Sequence, residues 1–191
     1  MEPIVLVVGG PAAGKSTTSR ALADTWPASI HVPVDDLRHM VRAGLALPAP
    51  DWSPELRRQV RLARETAVRM ALAYSAAGFA VVLDDFWDPY HLEEYAELLA
   101  RPGVHGVVLL PTEDEAQRRN RARSSGGDQY IDRGIAHAYS VLATVVDGAR
   151  SDGWLVLDTT DLDVAGTVAA IRRHAGLPIS GSARVGDPGR P

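Results

Sequence analysis

The hydrophobic pattern is set by short, continuous apolar runs separated by longer amphipathic stretches. Residues 4–8 (IVLVV), 80–83 (AVVL), 104–110 (VHGVVLL) and 154–157 (WLVL) lack a period-two polar face, and 30–34 (IHVPV) is a shorter run broken by Pro33. Uninterrupted β-branched runs predict strands buried on both faces of a parallel sheet. Helical periodicity fills the gaps at 15–25, from Asp35 or Asp36 to about Gly44, at 53–77, 89–100, 112–123, 131–149 and 162–174. In the longest of these, Leu56, Val60, Ala63, Ala67, Met70, Ala71 and Tyr74 recur at helical spacing. Ser53 is placed as N-cap and Pro54 at the first helical position. The arginines Arg57, Arg58, Arg61, Arg64 and Arg69 are expected on the solvated face of that helix. Thr112 and Glu115 form a capping-box pair.

Five strands alternating with helices predict a doubly wound α/β domain with a five-stranded parallel sheet. Residues 1–175 are expected as this domain, and 176–191, rich in Gly, Pro, Ser and Arg, as a flexible tail. Ligands of such sheets bind at the carboxyl ends of the strands. That rule brings Gly9–Ser16, Asp35–Arg38, Asp84–Trp87, the loop after Leu110 and Asp158–Thr160 to one edge.

The chain has 191 residues, 46% of them hydrophobic, a formal net charge of -4 and no cysteine. This excludes a disulfide framework and thiolate chemistry, and it argues against an extended nucleic-acid groove. No run is long enough to span a membrane, so a cytoplasmic protein is expected. Nothing in the chain bears on its subunit number.

One residue stands apart from this background. Of 20 lysines and arginines, only Lys15 is lysine. It lies in Gly9, Gly10, Pro11, Ala12, Ala13, Gly14, Lys15, Ser16, Thr17, which fits G-x-x-x-x-G-K-[ST] without a mismatch, between a strand and a helix. There, successive backbone N–H groups and a helix N-terminus face an anion. Lys15 is expected at the β- and γ-phosphates of ATP, and Ser16 on Mg²⁺. A small switch GTPase would need N-K-x-D, which a chain with its one lysine at position 15 cannot contain. Asp84 and Asp85 end the third apolar run as a Walker-B-like pair, with Asp84 assigned to Mg²⁺. After the second run come Asp35, Asp36 and Arg38. Asp35 could deprotonate an acceptor hydroxyl, Asp36 could cap the helix, and Arg38 could hold an anionic group on the acceptor. Leu45, Leu47, Trp52, Phe86, Trp87 and Tyr90 could form an apolar acceptor pocket, with Asp36, Asp85 and Phe86 among its contacts. The six histidines show no paired metal-ligand spacing and read as structural or surface residues.

These motifs, "GGPAAGKST…VDDLR", resemble the small P-loop phosphotransferases that include the polynucleotide 5′-hydroxyl kinase domain and chloramphenicol phosphotransferase. Zeta-type toxins and gluconate-kinase-like enzymes are more distant. The resemblance spans about residues 4–175. It implies Asp35 as general base, Arg38 as ligand of an acceptor phosphate, and a lid over about 112–135 hinged at Gly126–Gly127. Arg119 and Arg123 of that lid would stabilise the moving phosphoryl group, and Asp158 and Thr159 would cradle adenine. Asp36 departs from the V-D-S form of chloramphenicol phosphotransferases. A small hydroxylated acceptor is favoured over a polynucleotide, and a nucleotide-dependent binding module is the alternative outside enzymes. A pure switch would have no use for Asp35.

Overall fold

The computed structural model is described over residues 1–47, 52–86, 92–123 and 129–177, with backbone only at 123 and 129–133. Its elements are β1 (Ile4–Gly9), α1 (Lys15–Ala23), β2 (Ser29–Pro33), α2 (Val34–His39), α3 (Pro54–Ala76) and β3 (Ala80–Asp84), followed by α4 (Glu93–Leu99), β4 (Val104–Leu109), α5 (Glu113–Arg123), α6 (Gln129–Ser151), β5 (Leu155–Leu157) and α7 (Val164–His174). The strands form one sheet in the order β2-β3-β1-β4-β5, and every pair is parallel.

The apolar runs of β1 and β3 are buried throughout, as the pattern requires, whereas β5 at the sheet edge and the first half of β4 are only half-buried. Along β1, Ile4, Leu6 and Val8 enter one core with Ala63, Ala67 and Ala71 of α3 and Tyr95 and Leu98 of α4. Val5 and Val7 enter the opposite core with Leu22 of α1 and Val168 and Ile171 of α7. Successive side chains of a strand point to opposite faces, so a strand covered on both sides has no place for a polar residue. Ser53 caps α3 by accepting the Leu56 N–H, and Pro54 follows. Glu115 donates its N–H to Thr112 Oγ1.

Three expectations are corrected. The second helix is short, Val34–His39, and stops well before Gly44. Its N-cap is Pro33, with no side-chain cap, so neither Asp35 nor Asp36 caps it; both lie inside the first turn, where negative charge complements the helix dipole. Arg64 is not on a solvated face: it is fully buried. The helix expected at 89–100 occupies Glu93–Leu99, while Trp87, Tyr90, Gly126 and Gly127, with residues 178–191 of the expected tail, lie outside the described residues. Among the described residues no helix is long and apolar enough to cross a membrane.

Candidate functional site

β1 delivers the chain into the Gly9–Ser16 loop at the carboxyl edge of the sheet, between β3 and β4. Two glycines make the loop possible. A Cβ at Gly9 would stand 2.5 Å from the Leu109 carbonyl oxygen, and Gly14 takes the left-handed φ of 92° at the N-cap of α1. Ala12 also has a positive φ, 57°, a conformation that costs a non-glycine residue roughly 1 kcal/mol or more. Lys15 Nζ donates to the Gly10 carbonyl at 2.9 Å, folding the side chain back over the loop.

The loop separates two cavities. On one side a space of about 380 Å³ is lined by Gly9, Gly10, Pro11, Lys15, Asp35, Arg38, Trp52, Leu56, Val60, Phe86 and Ala138. Its lining is mostly apolar, with Asp35, Arg38 and Lys15 as its charged members. Trp52 and Phe86 meet with ring centroids 5.5 Å apart. Leu47 is exposed and does not line it.

Asp35 is held in place by the chain around it. Arg38 donates from Nε and Nη2 to Asp35 Oδ1, both at 3.2 Å, and from Nη1 to the Ala46 carbonyl at 2.9 Å. Nη2 also contacts His39 Nε2. Ala46 donates its N–H to Gln59 Oε1, and Gln59 Nε2 donates to the Gly44 carbonyl. The buried Gln59 of α3 therefore fixes the 44–46 loop, the loop fixes Arg38, and Arg38 fixes Asp35. The sequence carried no motif for this relay; a polar residue one position before Val60 on the buried stripe was its only trace. Asp36 is exposed and does not line the cavity.

Under the aromatic wall lies a buried charged cluster. Arg64 Nε donates to Asp85 Oδ2 at 2.6 Å, Tyr95 OH donates to the same oxygen at 2.9 Å, and the Phe86 N–H donates to Asp85 Oδ1 at 2.8 Å. Arg64 also faces Glu94 at 3.6 Å, and its guanidinium lies 5.1 Å from the Phe86 ring centre. Burial pushes the Asp85 carboxyl up, against the opposing pull of Arg64. Burial and the Asp85 charge push the Tyr95 phenol well up. Asp85 was expected among the acceptor contacts; instead both its oxygens are taken up in this cluster, and it supports Phe86 from behind.

Asp84 behaves differently from its neighbour. Its Oδ1 accepts from Ser16 Oγ at 3.1 Å and its Oδ2 bonds His31 Nε2. Ser16 and Asp84 could together hold a hard divalent cation. Two oxygen donors suit Mg²⁺, which keeps several waters and shares itself with phosphates. Among the described residues no cluster of three or more His, Cys, Asp or Glu could hold a metal.

On the far side of the loop a second cavity of about 490 Å³ is lined by Ala13, Gly14, Thr17, Thr18, Glu115, Arg118, Arg119 and the stretch from Thr159 to Val164. Arg119 crosses its back. Nη2 donates to the Thr159 carbonyl at 2.6 Å, Nη1 to that of Ala13 at 3.4 Å, and Nε to Glu115 Oε1 at 2.7 Å. Hydrogen bonds from Arg118 and then Arg119 lower the Glu115 carboxyl to about 2. Arg119 thus joins α5, the phosphate loop and the β5–α7 loop rather than facing Asp35, and the Arg123 side chain lies outside the described residues. Of the expected adenine contacts, Thr159 lines the cavity. Asp158 does not; it accepts from the Thr160 N–H and Oγ1 and shapes the loop. Thr160, expected at this edge with Asp158 and Thr159, lines it too, and Asp161 and Leu162 line it unannounced by any motif.

Comparison with known proteins accords with this geometry. The family described as chloramphenicol phosphotransferase-like protein matches residues 2–175. A UPF0200 protein of Aeropyrum pernix is 30% identical over 97% of this chain and 96% of its own length. Against other curated relatives it matches, the chain spans half or less of their length. Shikimate kinase from Bacteroides thetaiotaomicron superposes with a TM-score of 0.63 at 15% identity, covering 92% of this chain and 99% of that one. The tunicamycin resistance protein of Deinococcus radiodurans gives 0.63 at 14%, covering 95% and 100%. The fold is that of the P-loop kinases.

Proposed function

The chain belongs to the chloramphenicol phosphotransferase-like family, and from its two cavities we propose that it transfers the γ-phosphate of ATP to a hydroxyl group of a small, largely apolar molecule. One observation carries the reading: the 380 Å³ cavity is lined at once by Lys15, by Asp35 and by an apolar wall of Trp52, Leu56, Val60 and Phe86. A nucleotide switch needs the lysine but has no use for a carboxylate and an acceptor-sized cavity beside it.

In this mechanism the loop amides and Lys15 hold the β- and γ-phosphates, while the adenosine lies toward Thr159–Leu162. Ser16 and Asp84 would hold Mg²⁺, which supplies charge neutralisation on the phosphate oxygens. Asp35 accepts the proton of the acceptor hydroxyl as its oxygen bonds to the γ-phosphorus and the bond to the β–γ bridging oxygen breaks. Positioning and electrostatics of this kind are the main resource for phosphoryl transfer. Arg119 secures the nucleotide side by tying Thr159 to Ala13.

The geometry of Arg38 favours a small acceptor over a polynucleotide. Its three nitrogens are already directed to Asp35, His39 and Ala46, so an acceptor phosphate would have to compete with the residue that orients the base. The test is mass-spectrometric detection of phosphorylated product with ATP and a panel of nucleosides, sugars, aminocyclitols, aryl-bearing antibiotics and a 5′-hydroxyl oligonucleotide. Phosphorylation of a compact, apolar alcohol is expected. Efficient, salt-sensitive phosphorylation of the oligonucleotide would overturn the choice of acceptor.

A further inference from the structure

His31 showed no metal-ligand spacing, yet its place in the sheet gives it a task. It lies on edge strand β2, and the register pairs His31 with Val82 and Pro33 with Asp84. Residues two apart share a face. His31 and Asp84 therefore stand on the same side of neighbouring strands, one diagonal step apart, and the ring reaches along the sheet to the carboxylate. Only 15% of the His31 side chain and 7% of the Asp84 side chain are exposed. A carboxylate so enclosed needs donors on both oxygens. Ser16 Oγ supplies one to Oδ1, and His31 Nε2 supplies the other to Oδ2.

We propose that His31 is a positioning residue for the divalent cation. By taking Asp84 Oδ2 it fixes the plane of the carboxylate and leaves Oδ1 aimed at the place beside Ser16 Oγ. The inference rests on the kinase reading above. Partners of a ligating carboxylate set its orientation and basicity, and their loss typically weakens metal binding by about 10–100-fold. A histidine that merely filled space would affect packing and leave the cation alone.

The experiment compares the wild type with His31→Leu, which keeps much of the volume and removes the donor, and His31→Gln, which keeps an N–H donor. Mn²⁺ is titrated by electron paramagnetic resonance into each protein holding a non-hydrolysable ATP analogue, and analogue affinity is measured without metal. His31→Leu is expected to weaken Mn²⁺ by about 10-fold or more, His31→Gln to recover most of that loss, and metal-free analogue affinity to stay level in all three. If His31→Leu fails to fold, His31→Gln and His31→Ala are compared in its place, with the loss expected in Ala alone. Wild-type-like Mn²⁺ affinity in the donor-less variant would overturn the inference while leaving the kinase reading intact. So would an equal loss in the donor-less variant and in His31→Gln. A wild type that binds neither analogue nor Mn²⁺ would overturn both.

Discussion

Replacing Arg64 by methionine separates the buried cluster from an ordinary helix surface. Arg64 is fully enclosed, and its removal leaves Asp85, itself 2% exposed, without its cation. Tyr95 OH and the Phe86 N–H would remain as donors, but the charge would be uncompensated. Breaking one partner of a buried pair typically costs about 3–5 kcal/mol. For a domain of this size each kcal/mol moves the melting temperature by roughly 2–4 °C, so a fall of about 6–20 °C is expected at pH 7. Burial already pushes the Asp85 carboxyl up, and loss of Arg64 pushes it further. A carboxyl raised in the folded state contributes most stability at low pH and loses it as pH rises through the folded value. The defect of Arg64→Met should therefore shrink as the pH is lowered. Thermal melts and urea denaturation at several pH values, followed by circular dichroism, measure both effects, with Arg57→Met and Arg61→Met as exposed comparators expected within about 0.5 kcal/mol of wild type. The double variant Arg64→Met/Asp85→Leu removes both charges and should recover a large part of the loss. An Arg64→Met cost below about 1 kcal/mol, matching the comparators, would refute the buried pairing and restore the solvated face that periodicity suggested.

Lys15→Ala should abolish phosphoryl transfer with melting temperature little changed, and Lys15→Arg should remain severely impaired because a planar fork does not replace a compact ammonium; near-normal turnover of the arginine variant would contradict this. Asp35→Asn should lower turnover by about 10²-fold or more with nucleotide affinity retained, whereas Asp36→Asn should leave turnover level and cost at most about 1 kcal/mol of stability through the lost helix-dipole charge; kinetics and thermal melts on both variants check the ranking. In Gly10→Ala the added methyl would stand 2.7 Å from Tyr139 Cε2, an overlap with a buried ring that should cost about 1–3 kcal/mol and weaken nucleotide binding. Calorimetric titration and melts of Gly10→Ala with and without Tyr139→Ala test this, since the second change should relieve the first.

Local chemistry made much of this molecule readable. Strands buried on both faces are continuous apolar runs, and the phosphate loop is one contiguous segment whose glycines and lysine are fixed by backbone geometry. The Ser53–Pro54 start of α3 is equally local. What was hidden depends on which residues meet across distance. Arg64 sits four residues after Val60 and eight after Leu56, on the buried stripe of α3, but an arginine there reads as surface until Asp85 is known to lie opposite. His31 reads as a strand residue until the β2–β3 register sets it beside Asp84. The chain order gives Asp35 and Asp36 different expected roles, but the relay from Gln59 through Ala46 to Arg38 that holds Asp35 is visible only in the structure.

That relay also bears on how the two sides of the loop cooperate. Gly9, Gly10, Pro11 and Lys15 line the cavity with Asp35, while Ala13, Gly14, Thr17 and Thr18 line the other. In-line transfer needs the attacking and leaving oxygens on opposite sides of the phosphorus, and a loop with one cavity on each flank offers that arrangement with Lys15 between. Each flank is then set by a different part of the fold. The proposed nucleotide flank depends on Arg119 bridging Ala13 and Thr159. The proposed acceptor flank depends on α3, through Gln59 to Asp35 and through Arg64 to the Phe86 wall. Changes at Gln59 or Arg64 should therefore act on acceptor KM and turnover while sparing nucleotide affinity, and changes at Arg119 should do the reverse.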